Sequence, residues 1–88
     1  MIERNVTIIN TLGLHARAAA KLVNLANRFK SAFHIIKDVQ KVNGKSILGI
    51  LLLASGKGTK LVFTFEGEDE EQAAEAVCKL VEEKFDEN

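Results

Sequence analysis

The hydrophobic period switches repeatedly between two and 3.6 within 88 residues, and this alternation limits the fold more than any single motif does. Val6 and Ile8, with Ile2 before them, alternate with Glu3, Asn5 and Thr7, which predicts a strand with one buried face ending near Asn10. After the turn Thr11-Leu12-Gly13-Leu14, apolar residues Ala19, Ala20, Val23, Ala26 and Phe29 recur at steps of three and four. This spacing predicts a helix over Ala16 to Phe29 with His15 at its entrance. Phe33 and Ile35 alternate with His34 and Ile36, a polar stretch runs from Lys37 to Lys41, and Val42 follows on a short return segment, together a hairpin. A short helix over about Ile47 to Leu53 starts after Ser46 and gives way to the loop Ser55-Gly56-Lys57-Gly58. Leu61, Phe63 and Phe65 mark the last strand. Acidic residues from Glu68 to Glu71 open a closing helix whose apolar stripe is Ala73, Ala74, Val77, Leu80 and Val81.

The order is therefore βαββαβα, and the fold class it implies is α+β: an open-faced sandwich in which three helices cover one face of a four-stranded antiparallel sheet. Residues 1–88 are expected to form one domain, since a second would lack the sequence to enclose a core. A chain this short buries roughly 60 to 65% of its unfolded surface, which leaves no room for a deep substrate cavity, so function should lie on the surface.

Twelve basic and twelve acidic side chains cancel, so no global field favours nucleic acid or an anionic membrane. The single cysteine, Cys78, cannot form an internal disulfide, and Glu3, Arg4 and Asn5 interrupt any signal-peptide pattern at the start. A cytoplasmic protein is the expectation. The longest near-apolar run, Ile47 to Ala54, is far short of the ~20 residues that span a bilayer, so no membrane insertion is expected.

His15 precedes a helix, so its imidazole can lie beside the unpaired N–H groups of the first turn. Those groups and the positive end of the helix dipole suit an anion. A phosphoryl group on the ring would gain hydrogen bonds from the amides of about Ala16 and Arg17, and the same positive end disfavours a protonated ring, keeping a nitrogen free to attack phosphorus. The Arg17 guanidinium can hold two phosphoryl oxygens at once. Spacing alone is equally consistent with His15 as a plain polar helix start and Arg17 as a solvated side chain.

Two segments, Asn10-Thr11-Leu12-Gly13-Leu14-His15-Ala16-Arg17 and Asn43-Gly44-Lys45-Ser46-Ile47-Leu48-Gly49, resemble the histidine-containing phosphocarrier (HPr) family of the bacterial phosphoenolpyruvate-dependent phosphotransferase system. The resemblance covers essentially the whole chain, and the element order agrees with the family fold. It implies that His15 accepts a phosphoryl group at Nδ1 from enzyme I and passes it to sugar-specific acceptors of the EIIA type or to regulatory proteins, with Arg17 as phosphate partner and the Ala16 amide as a donor. It also implies a monomeric carrier that serves sugar transport as a transfer intermediate, without a cofactor or metal and without a small-molecule substrate of its own. Ser46 would be the target of an ATP-dependent HPr kinase/phosphorylase. A phosphoserine carrying about −1.5 to −2 charge would be tolerated by the helix it precedes, although a serine N-cap needs no kinase.

One departure matters: most members have proline after the arginine, and here Ala18 stands there, which costs rigidity in the first turn. On the short helix, Ile47, Leu48 and Leu51 share one arc and Ile50 and Leu53 another, so one arc can face the core while the other forms an apolar patch. The resemblance implies that Ile47, Leu48 and Leu51 meet partner proteins. Two other destinations fit the same residues: a nitrogen-related regulatory branch of the system, and a non-catalytic regulatory docking module. The branch with the latter role has lost the histidine, which is present here.

Other signals carry less. Gly44-Lys45-Ser46 lacks the upstream glycine of a phosphate loop, Val39 occupying that place. Gly56-Lys57-Gly58-Thr59 lacks the second glycine of an RNA-clamping loop, so no nucleic-acid partner is expected. His34 should face solvent from the sheet, and His34, His15 and Cys78 have no metal-ligand spacing. The closing run Glu82 to Asn88 reads as a solvated, fraying helix end whose acidity needs no partner.

Overall fold

A computed structural model describes residues 1–87. The elements are β1 (Ile2–Thr7), α1 (Ala16–Ala26), β2 (Ala32–Lys37), β3 (Gln40–Asn43), α2 (Ile47–Leu52), β4 (Lys60–Glu66) and α3 (Glu70–Glu82). The four strands form one antiparallel sheet in the order β1-β4-β2-β3, with the helices on one face, as the periodicity predicted. No described helix is long and apolar enough to cross a membrane.

Register explains the core. Phe33 on β2 pairs with Phe65 on β4, and Ile35 pairs with Phe63 on one side and Val42 on the other, so the inward rows align across the sheet. The Phe33 and Phe65 rings stack with centroids 4.8 Å apart, while Phe63 meets Phe33 edge-on at 5.1 Å. Ala18, Ala19, Leu22, Val23 and Ala26 of α1 and Ala73, Ala74, Val77 and Val81 of α3 are buried against this layer. Small residues on both helices let their backbones approach the aromatic layer closely.

Helix ends differ from the sequence expectation in informative ways. Helix α1 stops at Ala26 rather than Phe29, because the Arg28 and Phe29 amides donate to the Leu25 and Ala26 carbonyls three residues back, at 3.1 Å each, which tightens the last turn out of the α-helix. Its buried stripe includes Ala18 and Leu22, whereas Ala20 is only half-buried. Strand β1 ends at Thr7, although Ile8 still pairs by donating to the Thr59 carbonyl and accepting from the Gly58 amide. Asp69 precedes α3 without a side-chain cap; its carboxylate instead accepts from the Ser31 hydroxyl and from the backbone amides of Lys30 and Ser31, which hold it below the usual aspartate range.

The largest departure is the closing run as far as Glu87, which folds back onto the core rather than fraying, Asn88 lying outside the described residues. Lys84, Phe85 and Asp86 have φ values of 58°, 56° and 61°, a left-handed turn built without glycine. Phe85 is fully buried in the core, and the Lys21 ammonium of α1 donates to its carbonyl at 2.7 Å. A lone aromatic in an acidic tail lowers its free energy by entering the core, and the backbone adopts an uncommon conformation to allow it.

The Asn43-Gly44-Lys45-Ser46 segment is seated on the same core. The Gly44 amide donates to the Phe33 carbonyl at 2.8 Å, and a Cβ on Gly44 would stand 2.2 Å from the Phe33 ring. Gly44→Ala should therefore displace the stacked phenylalanine and lower the unfolding free energy by about 1–3 kcal/mol, measurable by urea denaturation. An unchanged midpoint would show that the ring has room to move.

Candidate functional site

The site is assembled by the turn that leads into α1. The Gly13 amide donates to the Asn10 carbonyl at 3.1 Å, closing the turn. Gly13 has φ of +69°, and a Cβ there would stand 2.5 Å from the Ser55 carbonyl oxygen, so glycine is required both by conformation and by the close approach of the 55–58 loop. The next amide, of buried Leu14, donates to the same Ser55 carbonyl at 2.8 Å. Two consecutive residues are thus fixed against that loop immediately before His15.

His15 is the N-cap residue of α1 in an extended conformation, and its side chain makes no capping hydrogen bond. The first helical bond runs from the Ala19 amide to the His15 carbonyl at 2.8 Å. The amides of Ala16, Arg17 and Ala18 therefore have no hydrogen-bond partner among the described residues, as expected at a helix start. Ala18 brings an N–H that proline would lack, so its substitution adds a donor as well as loosening the turn. The Arg17 side chain is exposed and, among the described residues, engaged in no hydrogen bond or ion pair.

The ring itself has a partner that sequence reasoning missed. His15 Nε2 lies 2.8 Å and 3.0 Å from the two carboxylate oxygens of Glu87. Asn10, fully buried, donates its Nδ2 to the Gly13 carbonyl and to Glu87 Oε1, each at 2.8 Å. Both partners are acceptors, so the orientation of the Asn10 amide is determined. The His15 ring and then the Asn10 amide hold the Glu87 carboxyl below the usual glutamate value of 4.5. An ionised carboxylate can only accept, so the shared proton belongs to Nε2 and a neutral ring keeps its lone pair at Nδ1.

The expectation that the acidic tail has no partner is thus corrected: Glu87 reaches the histidine from 72 positions away. No local pattern couples residues at that separation. The available signal was Phe85, the only large apolar residue after Val81, whose burial turns the chain end toward α1. His34 is half-buried on the outer face of the sheet, and half-buried Cys78 has its thiol pKa raised by burial.

Ser46 stands at the start of α2. Ser46 Oγ accepts from the Gly49 amide at 3.0 Å, an N-cap bond, and Asn43 Oδ1 accepts from the Lys45 amide at 2.9 Å. Ile50 and Leu53 enter the core, whereas Ile47, Leu48 and Leu51 are exposed, Leu48 to 69%. Leu52 and Leu12 are also exposed.

Comparison with known proteins agrees with this architecture. Residues 2–83 match the family described as the PTS HPr component phosphorylation site. The chain is 45% identical to the phosphocarrier protein NPr of Shewanella violacea, covering 98% of this chain and 94% of that one. It is 47% identical to the phosphocarrier protein HPr of Pseudomonas aeruginosa, covering 93% and 92%. The crystal structure of HPr from Thermoanaerobacter tengcongensis superimposes with a TM-score of 0.96 at 44% identity, over 100% of this chain and 99% of that one. The chain belongs to the HPr family of phosphocarrier proteins of the phosphotransferase system.

Proposed function

We propose that His15 is the residue that carries the phosphoryl group, accepted at Nδ1 from phospho-enzyme I and passed to sugar-specific acceptors of the EIIA type. The observation that carries this reading is the position of His15 at the start of α1, in front of three unpartnered amides and with Nε2 already engaged. The Nδ1 lone pair attacks phosphorus in line, and the donor's bond to phosphorus breaks with its electron pair returning to the donor. Oxygens of the transferred group meet the amides of Ala16 and Arg17 and the Arg17 guanidinium. Charge and position are what phosphoryl transfer requires, since the protein forms few bonds in the step. One chain holds His15, Arg17, Asn10 and Glu87, so a monomer suffices, working in the cytoplasm.

Partners dock on the exposed face of Ile47, Leu48 and Leu51, and Ser46 is where an HPr kinase/phosphorylase would add a regulatory charge. The Ser46 hydroxyl accepts the Gly49 amide, so a phosphate there remains compatible with the helix while placing charge beside the apolar surface. The similarity to an NPr supports a second destination, regulatory acceptors of a nitrogen-related branch.

Incubation with cognate enzyme I and phosphoenolpyruvate, followed by intact-mass measurement, should add one acid-labile phosphoryl group to the protein and none to His15→Ala. No incorporation by the unaltered chain would overturn the proposal. Ser46→Asp should leave the fold intact and weaken enzyme I binding by about tenfold or more, because a charge must be desolvated in an apolar contact. Equal affinity in calorimetric titration would remove the regulatory role of this position.

A further inference from the structure

Helix α2 carries the face proposed for docking, yet of its own residues only Ile50 is buried, so packing along its length holds it weakly. Its C-terminal end is also strained. Ala54, the residue after the C-cap Leu53, has φ of 49°, a left-handed conformation in which a helix usually ends with glycine. We propose that Lys37 is a positioning residue for the transfer step: its ammonium, bound to the last carbonyls of α2, fixes both the docking helix and the loop on which the turn before His15 rests. The proposal builds on the reading of His15 as phosphoryl acceptor and of α2 as docking face.

Strand geometry puts Lys37 in place for this task. Successive residues of β2 alternate between faces, so Lys37 continues the inward row of buried Phe33 and Ile35 and stands on the helix side of the sheet. From there its half-buried side chain donates from Nζ to the Leu53 carbonyl at 2.8 Å and to the Ala54 carbonyl at 3.4 Å. Carbonyls at a helix end have no acceptor role left inside the helix, and a lysine donor satisfies them.

The following residue makes the link to the site. Ser55 is buried, and its carbonyl accepts from the Leu14 amide at 2.8 Å, one residue before His15. The far end of the same loop is tied down by the Gly58 amide, which donates to the Ile8 carbonyl at 2.7 Å. The near end passes through left-handed Ala54, and there the lysine supplies the bond from another element.

Lys37 therefore acts through backbone and stays apart from the reacting atoms. Without its ammonium, fewer molecules have the docking face and the His15 turn set together, and apparent affinity for a partner falls with that fraction. The groups that meet phosphorus are unchanged, so the loss falls on binding and spares the chemical step. Ala54→Gly opposes the loss, because glycine takes the left-handed conformation without a Cβ penalty.

The test compares the full-length protein with Lys37→Met, which keeps an unbranched stem and loses the ammonium, and with Lys37→Met combined with Ala54→Gly. In Lys37→Met the Leu14 amide should exchange with solvent about tenfold faster, the order expected for losing a hydrogen bond to a charged group. With the carrier as substrate of phospho-enzyme I, its KM should rise about threefold or more while kcat stays within about twofold. Adding Ala54→Gly should return the exchange rate and KM close to those of the unaltered chain. Unchanged KM in Lys37→Met would overturn the proposal, as would a fall in kcat at constant KM or a loss that Ala54→Gly leaves uncorrected. Failure of the unaltered chain to take up phosphate would instead overturn His15 as carrier, while Leu14 exchange would still decide whether Lys37 holds the loop.

Discussion

A sheet covered on only one face leaves a single layer of side chains to hold every helix, and the rest of this structure depends on that layer. Phe33, Phe63 and Phe65, aligned by strand register, form its centre. Burying residues of this size contributes about 1.5–3 kcal/mol each, far more than any one hydrogen bond at the surface. Helix α1 meets the layer through Ala18, Ala19, Leu22, Val23 and Ala26, so its placement is set by packing along most of its length. Its N-terminal end, with His15, is consequently fixed in space although the residues around it are polar and partly exposed.

At that end the polar groups are joined through one buried amide. Asn10 links the Gly13 turn to Glu87, and Glu87 links both to the His15 ring. The connection has an opposing cost, since three consecutive left-handed residues without glycine are disfavoured by about 1–2 kcal/mol each. Burial of Phe85, about 1.5–3 kcal/mol on the same scale used for the core, offsets a large part of this. The Lys21 bond to the Phe85 carbonyl and the contacts of Glu87 act in the same direction. The strap is a locally disfavoured backbone held by its contacts, and those contacts converge on the histidine.

Much of this was legible in the sequence, for physical reasons. Period-two and period-3.6 patterns mark which faces are buried, so the element order and the one-sided sheet follow from Val6, Phe63, Ala19 and their neighbours, whereas the spacing on the short helix left open which arc turns inward, and the fold buries Ile50 and Leu53. The Thr11-Leu12-Gly13-Leu14 turn marked the helix entrance at His15, and the structure adds that a close backbone approach requires glycine at Gly13. The end of α1 was not legible, because the tightening to three-residue bonds at Arg28 and Phe29 leaves the apolar spacing that runs to Phe29 unchanged. The chain end was misread for a related reason: acidic residues after Val81 match a solvated terminus, and only the tertiary burial of Phe85 shows otherwise. Glu87 could not be paired with His15 from any local pattern.

Under the proposed function the two ring nitrogens of His15 have separate tasks. Nε2 is occupied by the Glu87 carboxylate, and Nδ1 would be the atom that takes the phosphoryl group beside the helix start and Arg17. The most direct measurement is the one-bond coupling between nitrogen-15 and phosphorus-31 in the phosphorylated protein labelled at its histidine ring nitrogens. The account predicts coupling to Nδ1 of His15, with the proton retained on Nε2. Coupling to Nε2, or phosphate on any other residue, would contradict it.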